Sequence, residues 1–228
     1  MRNKFLIALL FFTSIALPQQ TKTLELYFSS SYKAEQIKIS DSTSFISKKD
    51  SIEISTLKFY CSNITLLNAG NKVWEEKNSH HLIDIANNKS SQLNLVIPKD
   101  IIYDKIKFDL GIDSATNEMG AMGGDLDPTK GMYWAWNSGY INFKLEGKSA
   151  KCKTRNNEFQ FHIGGYMFPF NALQTIVLPI NNAEKINVSV DLAKFLSTIN
   201  IAEENHVMSP SPKALVMAQY IAKSFSIK

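Results

Sequence analysis

The sequence predicts an all-β fold: a single β-sandwich of mostly antiparallel strands with a short C-terminal helix. Three observations lead to this fold class. Short runs with an apolar residue at every second position recur along the chain, clusters of Gly, Asn, Asp and Pro separate these runs, and helical periodicity is confined to two short stretches. At 228 residues, 44% of them hydrophobic, the chain is long enough to bury one substantial core.

The predicted strands are the runs in which the apolar residues share one parity. Such alternation is typical of a strand with one buried face, because successive side chains point to opposite sides of a sheet. In one of these runs, Phe159, Phe161 and Ile163 form the apolar face, whereas Gln160 and His162 lie on the other face. The full set of runs covers residues 24–28, 57–59, 93–97, 106–110, 141–145, 159–163 and 186–190.

Two stretches carry helix signals. Asp191 is placed to cap the N-terminus of a short turn over residues 192–196. Near the C-terminus, Ser211 is a suitable N-cap and Pro212 suits the first helical position. The residues that then recur at helical spacing are Leu215, Ala218, Ile221, Ala222 and Phe225. We therefore expect this second helix to pack on the sandwich through that apolar face.

The first 20 residues are predicted to be a signal peptide. A short positive stretch precedes an apolar run at residues 5–17, which is too short to span a bilayer comfortably and fits the hydrophobic region of such a peptide. Cleavage is expected between Ala16 and Gln20, and no Cys follows the run that would carry a lipid. The expected mature domain, residues 21–228, is then periplasmic or secreted and has no stable membrane anchor; an uncleaved anchor is the alternative.

Charge and motif content exclude several functional classes. The formal net charge of +4 comes from Lys and Arg residues scattered among Asp and Glu, so no nucleic-acid partner is expected. The sequence contains no G-x-S-x-G, H-E-x-x-H or P-loop motif. We therefore expect a binding protein rather than an enzyme.

The densest stretch of the chain, residues 123–147, reads GGDLDPTKGMYWAWNSGYINFKLEG. Trp134 and Trp136 are two residues apart, so on the strand predicted there they share one face. Beyond Ser138 and Gly139 the apolar positions shift in parity, which indicates a β-bulge. From composition alone, the ordinary interpretation of the two Trp residues is packing of large rings on a sheet.

The histidines are the candidate metal ligands, since imidazole is a common ligand of copper. His162 is the best placed, on the face of its strand that turns away from the core. His206 lies in a loop before the C-terminal helix, two residues from Met208, whose thioether suits Cu(I). His80 and His81 form a polar pair that is more typical of a solvated surface.

Two further residue pairs have competing interpretations. Asp125 and Asp127 are chemically suited to Ca²⁺, but the EF-hand spacing is absent, so an ordinary Asp-Pro turn is preferred. Cys61 and Cys152 are the two cysteines of the chain. An even count permits a disulfide in an oxidising compartment, and we predict one between them; two separate core residues are the alternative.

Several motifs together resemble the MbnP-like family. They are the G-x-L-D-P turn at residues 124–128, the M-Y-W-x-W-N-S-G-Y run at 132–140, the K-L-E-G run at 144–147 and the F-H-I-G-G strand at 161–165. The W-x-W-N-S-G-Y and F-H-I-G-G motifs are specific as a pair, whereas either alone is weak. The resemblance covers most of the predicted mature domain.

The resemblance implies a periplasmic copper-binding protein. The family includes proteins associated with copper-chelating peptide (methanobactin) systems, and the related proteins MopE and CorA bind copper through histidines and a kynurenine made from a Trp. For this chain the implied copper site contains His162 and His206, with Met208, beside Trp134 and Trp136, one of which would be the oxidised residue. The implied partner is a di-haem protein of the cytochrome c peroxidase type.

A second hypothesis is a non-catalytic β-sandwich module whose Trp-rich patch binds a protein or glycan partner. The arrangement of the Trp and His side chains separates the two hypotheses. A Trp within reach of His162 or His206 favours copper, whereas a flat exposed Trp patch far from both histidines favours the binding module.

Overall fold

The computed structural model describes residues 20–40, 44–49 and 51–228, so the predicted signal peptide, except for its last residue, lies outside the described residues. No helix in the described part of the chain is long and apolar enough to cross a membrane. The first strands are β1 (Thr21–Tyr32), β2 (Glu35–Gln36), β3 (Phe45–Ser47), β4 (Ile52–Asn68), β5 (Asn71–Glu75), β6 (His80–Asp84), β7 (Gln92–Pro98) and β8 (Lys105–Leu110). They are followed by β9 (Tyr133–Trp134), β10 (Gly139–Ser149), β11 (Glu158–Gly164), β12 (Gln174–Pro179), β13 (Lys185–Asp191), β14 (His206–Val207) and β15 (Phe225–Ile227). The α-helices are α1 (Ser114–Glu118), α2 (Leu192–Leu196) and α3 (Pro212–Ala222), and short 3₁₀ helices span Gly124–Leu126 and Pro128–Lys130.

The strands form two sheets, which confirms the all-β prediction. The small sheet has the order β15-β13-β1, and β2 and β7 both pair with β1. The large sheet has the order β12-β8-β4-β10-β11-β14, with β3, β5 and β6 on β4 and β9 on β10. The pairings around β4 are antiparallel, whereas β1 pairs with β13, and β11 with β14, in parallel.

The 17-residue strand β4 organises the large sheet. Its first half pairs with β10, where Phe59 lies beside Phe143, and its second half pairs with β8, where Cys61 lies beside Leu110. The register with β8 shifts between Ser62 and Thr65. Strand β4 therefore joins the part of the large sheet that contains β10 to the part that contains β8.

The main core lies between the two sheets and consists largely of the residues that alternate along the predicted strands. The ring of Phe28, on β1, packs edge-on against Phe59 and Phe108 of the large sheet, with centroids 5.8 and 6.2 Å away. Phe225 of β15 packs against Phe59 at 5.4 Å. Burial of each such ring stabilises the fold by about 2–3 kcal/mol relative to exposure, so these contacts fasten one sheet to the other.

The two predicted helices are confirmed, with one correction. The Asp191 side chain accepts hydrogen bonds from the backbone N–H groups of Ala193 and Lys194, and Ser211 caps α3. Helix α3 ends at Ala222, so Phe225, which was predicted on its apolar face, belongs instead to β15. The buried residues of α3 are Ala214, Met217, Ala218 and Ile221, and the helix packs on β11 and β12.

Sequence patterns missed helix α1, a single turn capped by the side chain of Asp113. They also missed a second apolar cluster, which we call the outer cluster, on the face of the large sheet turned away from the small sheet. Its buried members are Tyr60, Leu82, Ile112, Leu126, Met132, Trp134, Tyr140 and Ile141. The segment between β8 and β10, residues 111–138, supplies half of them and folds over this face. The large sheet is therefore covered on both sides where the cluster lies.

The predicted disulfide is absent: both thiols are free and buried. Cys152 follows β10, and its N–H donates to the carbonyl of Ser149, which lies beside Ile52 at the start of β4. Cys61 is nine positions further along β4 than Ile52, a separation of about 30 Å along a strand. Cys152 lies in the turn after β10, level with the start of β4, whereas Cys61 lies in the middle of β4. The alternative interpretation as separate core residues is therefore the right one.

Replacement of Gly147 tests the close packing of β4 against β10. A Cβ placed on Gly147 would lie 2.0 Å from the Glu53 carbonyl oxygen and 2.6 Å from the Phe159 ring. Gly147→Ala is therefore expected to lower the free energy of unfolding by about 1–3 kcal/mol or more, measured by urea denaturation. Gly123→Ala is the matched control, because its Cβ would meet no atom within 4 Å, and it should change stability by less than about 1 kcal/mol. Equal losses in the two variants would contradict the packing described.

Candidate metal centre

The candidate centre lies on the outer face of strand β11, the face opposite to the main core. Phe159, Phe161 and Ile163 point into the main core, as predicted, so His162 points to the outer face. His162 is nevertheless buried, with 6% of its surface exposed. The prediction that it is not a main-core residue is correct, and its burial shows that the outer face is covered here.

The imidazole of His162 is held by a carboxylate. Its Nε2 lies 2.7 Å from Oε1 of Glu146 on β10, and the Lys144 Nζ lies 3.4 Å from the same oxygen. The hydrogen bond from His162 is the main cause that lowers the pKa of Glu146 to about 2, and Lys144 adds to the effect. An ionised Glu146 accepts the Nε2–H, so Nδ1 is the ring nitrogen of His162 that Glu146 does not engage.

Strand β14 brings the loop residues to this face. It pairs in parallel with β11, with His206 beside Gln160 and Val207 beside Phe161. Neighbouring residues in register share a face, so the His206 side chain lies on the outer face together with Gln160. The pairing ends at Val207, and Met208 is the next residue of the chain. His206, which is far from His162 in sequence, thus comes to the same face of the sheet.

Two glycines directly after Ile163 fix the neighbours of the end of β11, beyond His162. The ring of Trp134 packs on Gly164, where a Cβ would lie 2.9 Å from the ring and 2.6 Å from the Tyr140 carbonyl oxygen. Pro210 packs on Gly165, where a Cβ would lie 3.0 Å from it. A side chain at either position would displace these neighbours, so the F-H-I-G-G motif holds both Trp134 and the Met208 loop close to the histidine strand.

The two Trp residues do not lie together on one strand. Strand β9 ends at Trp134, which pairs with Gly139, and Trp136 lies in the turn between β9 and β10. Trp134 is 5% exposed and Trp136 is 67% exposed. Their rings are still neighbours, with centroids 5.8 Å apart at 46°. The parity shift at Ser138 therefore arises from this tight turn and not from a bulge.

A register irregularity is present nearby, but three residues later than predicted. The pairing of β10 with β11 shifts between Ile141 and Phe143, so the extra residue is Asn142. Its side-chain oxygen accepts the N–H of Ile112, at the start of the segment that covers the outer face. The sequence analysis placed the bulge at Gly139 because the turn there and the irregularity at Asn142 both shift the parity of the apolar residues.

Among the remaining candidate ligands, His81, Asp125 and Asp127 have structural partners, whereas the Nδ1 atom of His80 is buried without a hydrogen-bond partner. His81 Nε2 lies 2.8 Å from Glu76, and burial lowers the pKa of the neighbouring His80. Asp125 accepts the N–H of Leu82 and pairs with a lysine, Lys130, at 2.6 Å. Asp127 caps the 3₁₀ helix that begins at Pro128. Across the described residues, no group of three or more His, Cys, Asp or Glu side chains is placed to hold a metal ion.

Exposed apolar residues gather on loops next to Trp136. They are Met119, Met122, Met167 and Phe168, the last 97% exposed. The loops that carry them contact one another: the Ser114 hydroxyl donates to the Tyr166 carbonyl, and the Met122 N–H donates to the Tyr140 hydroxyl. The surface is therefore apolar at the end of the molecule that bears Trp136.

Two important residues escaped the sequence interpretation. Glu146 faces outward on β10 within the K-L-E-G motif, and alternation alone gave no reason to pair it with His162. Gly164 was noted only as part of a motif, although its lack of a side chain is what admits the Trp134 ring. Both depend on cross-strand register, which one sequence does not contain.

Comparison with known proteins decides the family. A family model described as MbnP matches residues 21–209, most of the chain. The chain belongs to the MbnP family. Among solved structures, MbnP from Methylosinus trichosporium is similar, with a TM-score of 0.56 and 11% sequence identity, and the match covers 78% of each chain. At this identity, the likeness to that MbnP structure shows a shared fold alone. None of the curated proteins matches.

Replacement of Glu146 tests the hydrogen bond that holds His162. Because the folded-state pKa of Glu146 is about 2, below its usual value of 4.5, its charge stabilises the fold above pH 4.5, and this stabilisation disappears as the pH falls towards 2. Glu146→Gln is expected to lower the free energy of unfolding at pH 7 by about 1–3 kcal/mol. The difference between parent and variant should shrink as the pH falls through that window.

Chemical denaturation at a series of pH values measures both effects. Glu75→Gln is the control, since Glu75 is an exposed carboxylate paired with Lys72 at 2.5 Å; its replacement should cost less than about 0.5 kcal/mol. A stability loss in Glu146→Gln that is the same at pH 7 and pH 3 would show that the charge of Glu146 does not stabilise the fold.

Proposed function

We propose that this member of the MbnP family is an exported, periplasmic protein that binds one copper ion and has no catalytic activity of its own. The observation that supports the proposal is the parallel pairing of β11 with β14, because it puts His206 on the same sheet face as His162, with Met208 two residues further along the chain. The family membership supports a setting in methanobactin-related copper handling.

The donor set suits Cu(I). His162 offers Nδ1, while Glu146 holds its Nε2, an arrangement in which a carboxylate orients a metal-binding imidazole. Met208 offers a thioether, and His206 a second imidazole. Soft, neutral donors in small number select Cu(I), whereas Cu(II) and other divalent ions require more donors or carboxylates.

The proposal includes oxidation of a Trp to kynurenine by a di-haem partner of the cytochrome c peroxidase type. Trp134 packs on Gly164, two residues from His162, so a change in either ring of the Trp pair would occur beside the donors. The exposed residues around Trp136 give a partner an apolar surface to contact.

The alternative function is a binding module for a protein or glycan. It is supported by the exposed Trp136, Met167 and Phe168, but a flat platform of two Trp rings is not present because Trp134 is buried. Protein binding at this surface and copper binding at His162 are compatible, so the copper test below addresses the first proposal alone.

Copper titration of the signal-free protein tests the site. The parent should bind one Cu(I) in competition with a Cu(I) chelator, and His162→Gln combined with His206→Gln should abolish stoichiometric binding. Gln at position 162 keeps a donor for Glu146, so the fold is preserved. Met208→Leu should weaken Cu(I) binding about tenfold or more, because the thioether is lost while the volume is retained.

The matched control is His80→Gln combined with His81→Gln, which removes the same number of imidazoles elsewhere and should bind copper like the parent. Circular dichroism checks that each variant is folded. If the His162 and His206 double variant binds copper as well as the parent, the site is misplaced; if the His80 and His81 variant is also unaffected, the copper proposal is wrong.

A further inference from the structure

The two Trp residues are close enough to exchange electrons but differ in their surroundings. Their ring centroids are 5.8 Å apart. The Nε1–H of Trp134 is buried and has no hydrogen-bond partner, whereas Trp136 is 67% exposed to water. The Trp134 ring is also fixed, since it packs on Gly164 within the outer cluster.

This difference in surroundings decides which of the two Trp residues forms the more stable radical after the pair loses one electron. Removal of one electron from an indole gives a radical cation whose N–H is a strong acid, and loss of that proton stabilises the radical. Trp134 has no acceptor for its Nε1 proton, so its radical cation keeps the proton and remains a strong oxidant. Trp136 can give its proton to water. The neutral radical of Trp136 is therefore the more stable product.

Tyr60 and Tyr140, the two buried tyrosines of the outer cluster, are not stable positions for the radical. Rings of Tyr133 and Tyr140 are 4.9 Å apart, and Tyr60 is 5.8 Å from Tyr140. Oxidation of a tyrosine requires its phenol proton to leave, but the hydroxyls of Tyr60 and Tyr140 donate to backbone carbonyls, which are weak bases. Burial raises the pKa of both phenols, so neither loses a proton readily.

We propose that Trp134 and Trp136 form an electron-transfer pair that directs one-electron oxidation to Trp136. An external one-electron oxidant is reduced by taking an electron from Trp134 or Trp136. If the oxidant takes its electron from Trp134, an electron from Trp136 then returns Trp134 to its reduced form. Trp136 gives its Nε1 proton to water and becomes the neutral radical. Trp136 is thus the residue that is modified, and Trp134 is a positioning residue that stays intact. The inference rests on the proposed function only for its biological setting.

The experiment uses the signal-free protein without copper, so its outcome is independent of the copper test. A photogenerated ruthenium(III) polypyridyl complex serves as the one-electron oxidant, and a nitroso spin trap adds to the indole radical without any further electron. Peptide mass spectrometry locates the adduct. In the parent, adducts at Trp136 should exceed those at Trp134 at least about fivefold, a preference that exposure of Trp136 alone would also produce.

Trp136→Phe separates electron transfer from simple exposure. If Trp136 normally reduces oxidised Trp134, its removal should raise the adduct yield at Trp134 at least about threefold. The Trp134 radical cation then has no neighbouring Trp from which to regain an electron. If exposure alone decides, Trp134 should stay unmodified in this variant. Trp74→Phe, which removes a half-buried Trp on β5, is the control and should leave the yield at Trp134 unchanged. An unchanged yield at Trp134 in Trp136→Phe, or equal adducts at both residues in the parent, would overturn the proposal.

Discussion

The short stretch of β4 around Phe59 to Cys61 constrains the rest of the structure, because it is apolar on both faces. Phe59 and Cys61 point into the main core, while Tyr60, between them, points to the outer face and is fully buried. A strand of this kind must be covered on both sides. The small sheet covers one side through Phe28, and residues 111–138 cover the other. Residues 111–138 also carry both Trp residues. The position of the candidate site therefore follows from the need to bury the outer face of β4.

The same constraint accounts for the glycines that end β11. Once residues 111–138 cross the outer face, the Trp134 ring must lie against the neighbouring strand, and Gly164 is the position that admits it. Gly165 has a φ of 121°, a conformation that favours glycine, and a Cβ there would lie 2.3 Å from the Phe170 carbonyl oxygen. The chain therefore turns sharply just after His162. His162 is therefore held on a strand whose end is fixed by two close contacts, and its imidazole is oriented by Glu146.

Much of the fold was predictable from sequence because period-two alternation reports directly on the core face of a strand. The runs at Phe28, Phe108 and Phe161 all became core-facing strands, and the caps at Asp191 and Ser211 begin helices. Prediction failed where structure depends on contacts between distant segments. Three features depend on which strands lie side by side and were not predicted: the outer cluster, the turn between Trp134 and Gly139, and the separation of the two thiols.

The candidate site shows the same division. Sequence alone named His162, His206 and Met208 as candidate donors, and the parallel register of β11 and β14 then shows that His206 lies on the same face as His162. It also treated Trp134 and Trp136 as equivalent, because two residues of equal parity look alike until a turn separates them. The relative positions of the candidate residues are set by strand register and turn geometry, which local residue type does not encode.

The charges next to His162 limit the kind of ion that this face can accept. Lys58, Lys144 and His162 lie in one row across three strands. Asp84 pairs with Lys58 at 2.9 Å and Glu146 with Lys144 at 3.4 Å, so the four charged side chains cancel one another. A divalent cation placed beside His162 would gain no uncompensated carboxylate, and it would be repelled by Lys144 twice as strongly as a monovalent ion. Under the copper proposal, a face without net negative charge is expected to favour a monovalent ion over a divalent one, which agrees with the imidazole and thioether donors proposed for Cu(I).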